Sequence, residues 1–194
     1  MSSLRRIDYL RPSPGLEQEF DVLVVDTEFT RLPFEKEAIW DWAGKVQPLS
    51  VAIVAMNSTQ EPPLIYAVLP LNPAGLGQRV PFIDEVVLPA LEAAEPTHRC
   101  RNEAELGVAI SEFLGWRRRV SGKPPLLAVD WIGDAYLVSR LIRGAPQWLL
   151  LEGVAEISWA LGNGFPEGDT RHNALHDAQA IRRGFLAYRS PPSE

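Results

Sequence analysis

The feature that most constrains the fold is an apolar run that ends in two closely spaced acids. Residues 21–25 read Asp-Val-Leu-Val-Val, and Asp26 and Glu28 follow directly. In a β-strand, successive side chains alternate between the two faces, so residues i and i+2 project to the same side. Two converging carboxylates repel each other unless a cation lies between them, and oxygen ligands suit Mg²⁺ and Mn²⁺. The run therefore predicts a strand that presents two metal ligands, with a pair of solvated acids at an exposed strand end as the alternative.

Two later segments carry acids in a similar context. Residues 125–134 read Pro-Leu-Leu-Ala-Val-Asp-Trp-Ile-Gly-Asp, which predicts a short strand that leads into a helix. Residues 172–178 read His-Asn-Ala-Leu-His-Asp-Ala and open the last predicted helix. Taken alone, Asp134 would be explained by the helix macrodipole, which favours an acid at a helix start.

In this order, the three segments resemble the motifs of the DEDDh 3′-5′ exonucleases, the superfamily that includes RNase T, oligoribonuclease and the proofreading subunits of polymerases. These motifs are Asp-x-Glu, an aspartate at a helix start, and a histidine followed five positions later by an aspartate. The wording Asp-Thr-Glu-Phe at residues 26–29 is most similar to a small stand-alone exoribonuclease branch. The resemblance covers about residues 20–188 and implies an RNase H-like fold with two Mg²⁺ or Mn²⁺ ions in its active site.

The resemblance also implies a role for each matched residue. Asp26, Glu28, Asp134 and Asp177 would hold the two metal ions, and His172 would take a proton from the attacking water. A neutral imidazole with a pKa near 6.5 suits that role around neutral pH. These five residues are the predicted catalytic set.

Neighbouring residues supply the predicted substrate contacts. Asp134 is preferred to Asp130 as the ligand, because apolar residues follow Asp134 at the spacing of a buried helix face. His176 is adjacent to Asp177 but would point about a third of a turn away, which predicts a surface residue or a supporting contact. Packing in the core is the alternative role for Phe29 and Trp131. The candidate substrate contacts are Thr27, Phe29, Asp130, Trp131 and Arg171.

Periodicity along the chain predicts an α/β domain with a mixed central β-sheet. Strand-like runs lie at 20–26, 49–56, 64–69 and 125–130. The turn-rich segment 57–63 predicts a hairpin between the second and third runs, so the first three strands are antiparallel. Asn102 and Glu105 form a candidate helix cap. Helices are predicted to flank the sheet at about 82–91, 102–114, 133–143, 151–161 and 173–188.

The chain is predicted to form one domain at residues 20–189, after a loose lead-in at 1–19. Residues 30–48 are predicted to form an insertion beside the metal site. This insertion contains Phe34, Trp40 and Trp42 among charged residues. The aromatic side chains would either stack on a substrate base or anchor the insertion to the domain or to another subunit, and both roles stay open.

Composition excludes several classes of protein. The 19 basic and 25 acidic residues give a net charge of −6, which argues against a protein that coats nucleic acid by neutralising many phosphates. A nuclease remains compatible, because bound metal ions return positive charge to its site. Cys100 is the only cysteine, which excludes an intramolecular disulfide and a cysteine-based zinc cluster. No apolar run approaches the roughly 20 residues of a membrane span, so a cytoplasmic protein is expected.

These features together predict a 3′-5′ exonuclease that acts on single-stranded nucleic acid, with RNA preferred to DNA. A homodimer is expected by analogy with the resembled family, and Arg171 with Arg182 and Arg183 offers a local basic patch. The run 117–119 is interpreted instead as a solvated helix face. Two alternatives are a phosphohydrolase of very short oligonucleotides and a non-catalytic RNase H-like binding or assembly module.

Overall fold

The computed structural model describes residues 9–10, 15–56, 64–70, 81–142, 146–151 and 171–189. The strands are β1 (Tyr9–Leu10), β2 (Asp21–Phe29), β3 (Pro48–Ala55), β4 (Leu64–Val68), β5 (His98–Arg99), β6 (Pro125–Val129) and β7 (Gln147–Leu150). The helices are α1 (Leu16–Glu19), α2 (Ile39–Ala43), α3 (Leu88–Leu91), α4 (Glu103–Ser121), α5 (Ile132–Leu141) and α6 (Ala174–Arg189). The predicted turn at 57–63 lies outside the described residues, and so does the predicted helix at 151–161 from residue 152 onward.

The strands form a mixed sheet in the order β1-β7-β6-β2-β3-β4-β5. β2 pairs with β3 and β3 pairs with β4 in antiparallel fashion, whereas β2 pairs with β6 in parallel. The three strands predicted first in the chain are therefore antiparallel, as expected. The α/β class with a mixed central sheet is confirmed.

β2 lies at the centre of the sheet and is apolar on both faces, as a strand covered on both sides must be. Leu23 and Val25 face the core that α4 and α5 cover, while Val22 and Val24 face the core under α6. Val24 is paired with Val54 on one side and Ala128 on the other. The residues at the end of β2 are therefore held by a strand that is paired on both sides and covered on both faces.

Local signals place the ends of α4. The side chain of Asn102 accepts a hydrogen bond from the backbone N–H of Glu105 at 3.0 Å, which confirms the predicted cap. The helix ends at Gly122, whose φ of 69° is readily adopted only by glycine. Gly107 lets α4 approach α5 closely, because a β-carbon there would lie 2.1 Å from the carbonyl oxygen of Leu141.

Several elements differ from the sequence prediction. β1 and α1 lie within the segment predicted as a loose lead-in, and β1 pairs with β7 in parallel. β7 was not predicted, because a short apolar run does not distinguish a strand from a buried helix. The helical segment 81–91 contains a π-helical turn at Ile83–Val87 before α3. Among the described helices, none has the length and apolar character needed to cross a membrane.

A buried ion pair ties α4 to the start of β2. Arg117 donates to the two carboxylate oxygens of Asp21 at 2.9 and 2.7 Å, and both side chains are almost fully buried. Arg118 and Arg119 are exposed, as the interpretation of 117–119 as a solvated face requires, but Arg117 is not. The interpretation was wrong for Arg117, because its partner lies 96 residues away in the chain.

We expect Arg117→Leu to lower the free energy of unfolding by about 3–5 kcal/mol, since it leaves the Asp21 carboxylate buried without a partner. Chemical denaturation measures this change. The matched control is Arg118→Leu, an exposed neighbour on the same helix, for which a change within about 0.5 kcal/mol is expected. Equal effects of the two substitutions would contradict a stabilising role for the buried pair.

Candidate functional site

The candidate site lies where β2 and β6 end. Asp26 and Glu28 continue the face of β2 that carries Val22 and Val24, so both acids project toward the side of the sheet that α6 covers. Asp130 directly follows β6, the parallel neighbour of β2. Because parallel strands end at the same edge of a sheet, the three acids meet there.

The acidic side chains form two groups of candidate ligands. Asp26, Asp130 and Asp134 offer oxygen atoms within 4.8 Å of one another. Glu28, His172 and Asp177 offer a second set of ligand atoms at the same mutual spacing. The structure therefore brings together residues from all three sequence motifs, and it adds Asp130 to the group that contains Asp26.

Asp134 reaches this site from the opposite face of the sheet. It lies in the first turn of α5, which packs on the core formed with Leu23 and Val25. The hydroxyl of Thr27 donates to Asp134 Oδ1 at 2.5 Å, and both side chains are buried. Thr27, a candidate substrate contact, is therefore engaged in orienting a candidate ligand.

His172 lies at the other side of the site, just before α6. Its backbone N–H donates to Asp177 Oδ2 at 2.9 Å, so the two residues of the third motif are linked directly. The imidazole is half-buried, and the Phe82 ring makes a T-shaped contact with it at 4.9 Å between ring centroids. A ring nitrogen of His172 lies within 4.8 Å of carboxylate oxygens of Glu28 and Asp177.

Burial and mutual repulsion disfavour the charged forms of these acids. Burial raises the pKa of Asp26, Glu28 and Asp134 well above the usual range, and repulsion from neighbouring carboxylates raises it further. Burial also raises the pKa of Asp177, to about 6. A bound cation would reverse this penalty, so a donor set of carboxylates and one imidazole fits hard divalent ions such as Mg²⁺ or Mn²⁺.

The nearby cation Arg171 opposes part of this effect. It is exposed, and its charge lowers the pKa of Glu28 and Asp177 against the larger effect of burial. Burial lowers the pKa of His172, and repulsion from Arg171 lowers it further. The imidazole of His172 is consequently neutral at neutral pH and can accept a proton.

The aromatic substrate candidates form a cluster beside the acids. The ring centroid of Phe29 lies 4.9 Å from that of Trp42 and 5.4 Å from that of Trp131. Phe29 and Trp131 are each partly exposed. A β-carbon at Gly133 would overlap the Trp131 ring at 2.1 Å, so glycine is needed there for the ring to take this position. Packing is thus one role of both residues, and their exposed edges remain candidate contacts.

The insertion at 30–48 divides into an anchored part and an exposed part. Trp42 is fully buried against α5 and donates to the carbonyl oxygen of Arg31 at 2.7 Å. Arg31 forms an ion pair with Glu37 at 2.6 Å, which was not predicted. Phe34 and Trp40 are 67% and 51% exposed, so anchoring to the domain accounts for Trp42 but not for these two rings.

The structure adds detail on two further residues at the start of α6. His176 is buried, because α6 packs against β2 and β3, so it is not a surface residue and the alternative of a supporting contact stays open. Asn173 is fully buried, and its side chain begins α6 by accepting from the backbone N–H groups of Leu175 and His176. The asparagine before an apolar helix was a visible cap signal.

No model of a known protein family matches the sequence, and no curated protein matches it either. A solved structure does match: the X-ray structure of the RNase domain of the yeast Pop2 protein, with a TM-score of 0.51 over 92% of this chain and 81% of that chain. The fold is RNase H-like. At 10% sequence identity, this similarity establishes the fold alone.

The raised pKa of Asp177 gives the metal-free protein a pH-dependent stability. In the unfolded chain this carboxyl loses its proton near pH 3.8, whereas in the folded protein it does so at about pH 6. The folded state therefore binds more protons in this window, and the free energy of unfolding falls as the pH rises through it.

We expect Asp177→Asn to be more stable than the wild type above about pH 7, by up to about 3 kcal/mol, and similar to it below about pH 4. Asparagine does not titrate and can still accept the His172 N–H. Chemical denaturation in a chelator at both pH values measures the difference. A difference that does not depend on pH would contradict the assignment.

Proposed function

We propose that this protein is a metal-dependent 3′-5′ exonuclease that hydrolyses single-stranded nucleic acid, with RNA preferred to DNA. One observation carries the proposal: two groups of candidate ligands, each with a member on β2, meet at one strand end, and the imidazole of His172 belongs to one of them. The RNase H-like fold is compatible with this activity but is shared by proteins of different function.

In this proposal, Asp26, Glu28, Asp134 and Asp177 hold two Mg²⁺ or Mn²⁺ ions, and Asp130 supports the group that contains Asp26. When bound, the two ions would stabilise charge on the scissile phosphate and lower the pKa of the attacking water. From the sequence, Asp130 is either a substrate contact or a residue that supports the metal ligands, and its position among the acids favours the second role.

The remaining residues orient the reacting groups. His172 takes the proton of the attacking water, since burial keeps its imidazole neutral. Thr27 holds the Asp134 carboxylate in place through its hydroxyl. Arg171 is exposed and close to Glu28 and Asp177, a suitable position from which to bind a phosphate of the substrate.

Exposed aromatic rings supply surfaces for the bases. Phe29 and Trp131 are partly exposed and adjoin Glu28 and Asp130 in the sequence, so they would contact the terminal nucleotide. Phe34 and Trp40 would stack on bases further along the strand, a mode of binding that is tolerant of sequence. Residues that contact the 2′-hydroxyl determine any preference for RNA.

Incubation with oligonucleotides labelled at the 5′ end tests the proposal. We expect RNA to shorten one nucleotide at a time from its 3′ end when Mn²⁺ is present, and no shortening in a chelator. A duplex end should be degraded more slowly than a single strand. Cleavage of only di- and trinucleotides would favour the short-oligonucleotide phosphohydrolase, whereas binding without turnover would favour the non-catalytic module.

By analogy with the resembled family, we also propose that the protein is a cytoplasmic homodimer. Sedimentation equilibrium measures the mass in solution, and a monomer across the concentrations used for activity would overturn this assignment. Fractionation of cells that express the protein tests the location.

A further inference from the structure

The backbone of His172 has an unusual conformation. Its φ is 64°, and it is the only non-glycine residue in the described part of the chain with a positive φ. This left-handed region is unfavourable for residues with a β-carbon, although histidine tolerates it better than most. Because the side chain projects from this backbone, the direction of the imidazole depends on whatever holds the conformation.

Asn173, the next residue, uses its whole side-chain amide to hold that position. Its Oδ1 accepts from the backbone N–H groups of Leu175 at 3.1 Å and His176 at 3.4 Å. Its Nδ2 donates to the carbonyl oxygen of Ala90 at 2.7 Å and to the hydroxyl of Tyr66 at 3.1 Å. The amide therefore joins the start of α6 to the end of the helical segment 81–91.

Tyr66 strengthens the same connection. Its hydroxyl accepts from Asn173 and donates to the carbonyl oxygen of Leu91 at 3.0 Å. Burial raises the pKa of Tyr66 to about 12, so the hydroxyl keeps its proton at neutral pH. Two backbone carbonyls at one end of segment 81–91 are thus tied to the residues that follow His172.

The other end of segment 81–91 contacts the imidazole itself. The rings of Phe82 and His172 make a T-shaped contact with an angle of 89° between their planes, although 45% of the Phe82 residue is exposed. Ile83 and Val87 anchor the segment by packing with Leu49 of β3. The same short segment therefore holds both the ring of His172 and the residue beside it.

We propose that the helical segment 81–91 holds His172 in position, and that Asn173 and Phe82 are positioning residues for its imidazole. Asn173 fixes the backbone from which the imidazole projects, and Phe82 restricts rotation of the ring. Both residues act through His172 and are not assigned any contact with substrate. The inference rests on the proposed function, because it concerns the base of that reaction.

A double-mutant cycle tests whether Asn173 acts through His172. In the wild-type background, we expect Asn173→Ala to lower kcat about tenfold or more, with a smaller change in KM, because displacement of a reacting group lowers the rate of the chemical step. In the His172→Ala background, the same substitution should change kcat by less than about twofold. An equal loss in both backgrounds would overturn the proposal.

Two milder variants cover the case in which Asn173→Ala does not fold. Tyr66→Phe removes one link to Asn173, and Phe82→Leu removes the ring contact; each should lower kcat in the wild-type background alone. Trp116→Leu is the matched control, since Trp116 is a similarly exposed aromatic residue on α4, and it should leave kcat unchanged. Equal effects of Phe82→Leu and Trp116→Leu on kcat would count against the positioning of His172 by segment 81–91.

A second measurement does not require activity. Diethyl pyrocarbonate modifies accessible neutral imidazoles, and peptide mass spectrometry compares its rates at His172 and at the exposed His98 in the same molecule. We expect faster modification of His172 relative to His98 in Phe82→Leu and Tyr66→Phe, and an unchanged ratio in Trp116→Leu. If the protein proves not to be a nuclease, the ratio of the two modification rates still tests whether segment 81–91 holds His172 in position. An unchanged ratio in all variants would overturn this proposal.

Discussion

Asp26→Asn is expected to reduce Mn²⁺-dependent shortening of RNA by about 10³-fold or more. Asp26 lies in one group of candidate ligands and is two positions from Glu28 of the other group, so in the proposed mechanism its loss removes a central ligand. Loss of metal stabilisation of the scissile phosphate raises the barrier by several kcal/mol, and each 1.36 kcal/mol corresponds to about a tenfold change in rate. Single-turnover assays with end-labelled RNA measure the effect.

Stability distinguishes this loss from unfolding. Asparagine has nearly the shape of aspartate but removes one charge from a group whose members repel each other. Burial raises the pKa of Asp26, and repulsion from the neighbouring carboxylates raises it further, so the charged form is disfavoured in the folded protein. We therefore expect Asp26→Asn to be at least as stable as the wild type in a chelator, and to gain less stability when Mn²⁺ is added. Glu112→Ala, an exposed acid on α4, is the control that should leave activity unchanged. Full activity in Asp26→Asn would refute the proposed function.

His172→Ala is expected to reduce kcat by about 10²–10⁴-fold, the usual contribution of a general base. The imidazole is neutral because burial lowers its pKa, and it lies within 4.8 Å of candidate ligand atoms on Glu28 and Asp177. Steady-state kinetics on a labelled oligonucleotide give kcat and KM separately, so that loss of turnover is not confused with loss of binding.

The comparison with His176→Ala makes this measurement specific. His176 is four positions later and is buried in α6, so its loss should lower stability more than it lowers kcat for the folded protein. We also expect His172→Ala to retain most of its Mn²⁺-induced thermal stabilisation, because the carboxylates remain. If His176→Ala removed turnover and His172→Ala did not, the assignment of the base to His172 would be wrong.

Local signals in the sequence were sufficient for much of the framework. The apolar run before Asp26 predicted a strand, and the structure shows that this strand is central and covered on both faces, which explains why the run is continuously apolar. Asn102 predicted the start of α4, because its cap is made within three residues of the chain. Alternation along β2 also predicted that Asp26 and Glu28 share a face, which is a property of the backbone alone.

Other features depended on contacts between distant parts of the chain. β7 has only four residues, and its identity as a strand depends on pairing with β6 and β1. In the sequence, Arg117 does not differ from its exposed neighbours. Its burial depends on the ion pair with Asp21, which is 96 residues away in the chain. No local pattern distinguishes such residues, because the partner that determines their environment is absent from the local sequence.

The sequence by itself determined which residues are chemically able to form the candidate site, since residue type and spacing depend only on the order of the chain. Only the tertiary structure decided how they are grouped: Asp130 joins Asp26 and Asp134, while Glu28 joins His172 and Asp177. It likewise decided that Tyr66 and Asn173 connect segment 81–91 to α6. The physical reason is that burial, repulsion and buried hydrogen bonds arise from distances in space, and packing of the sheet and helices determines those distances.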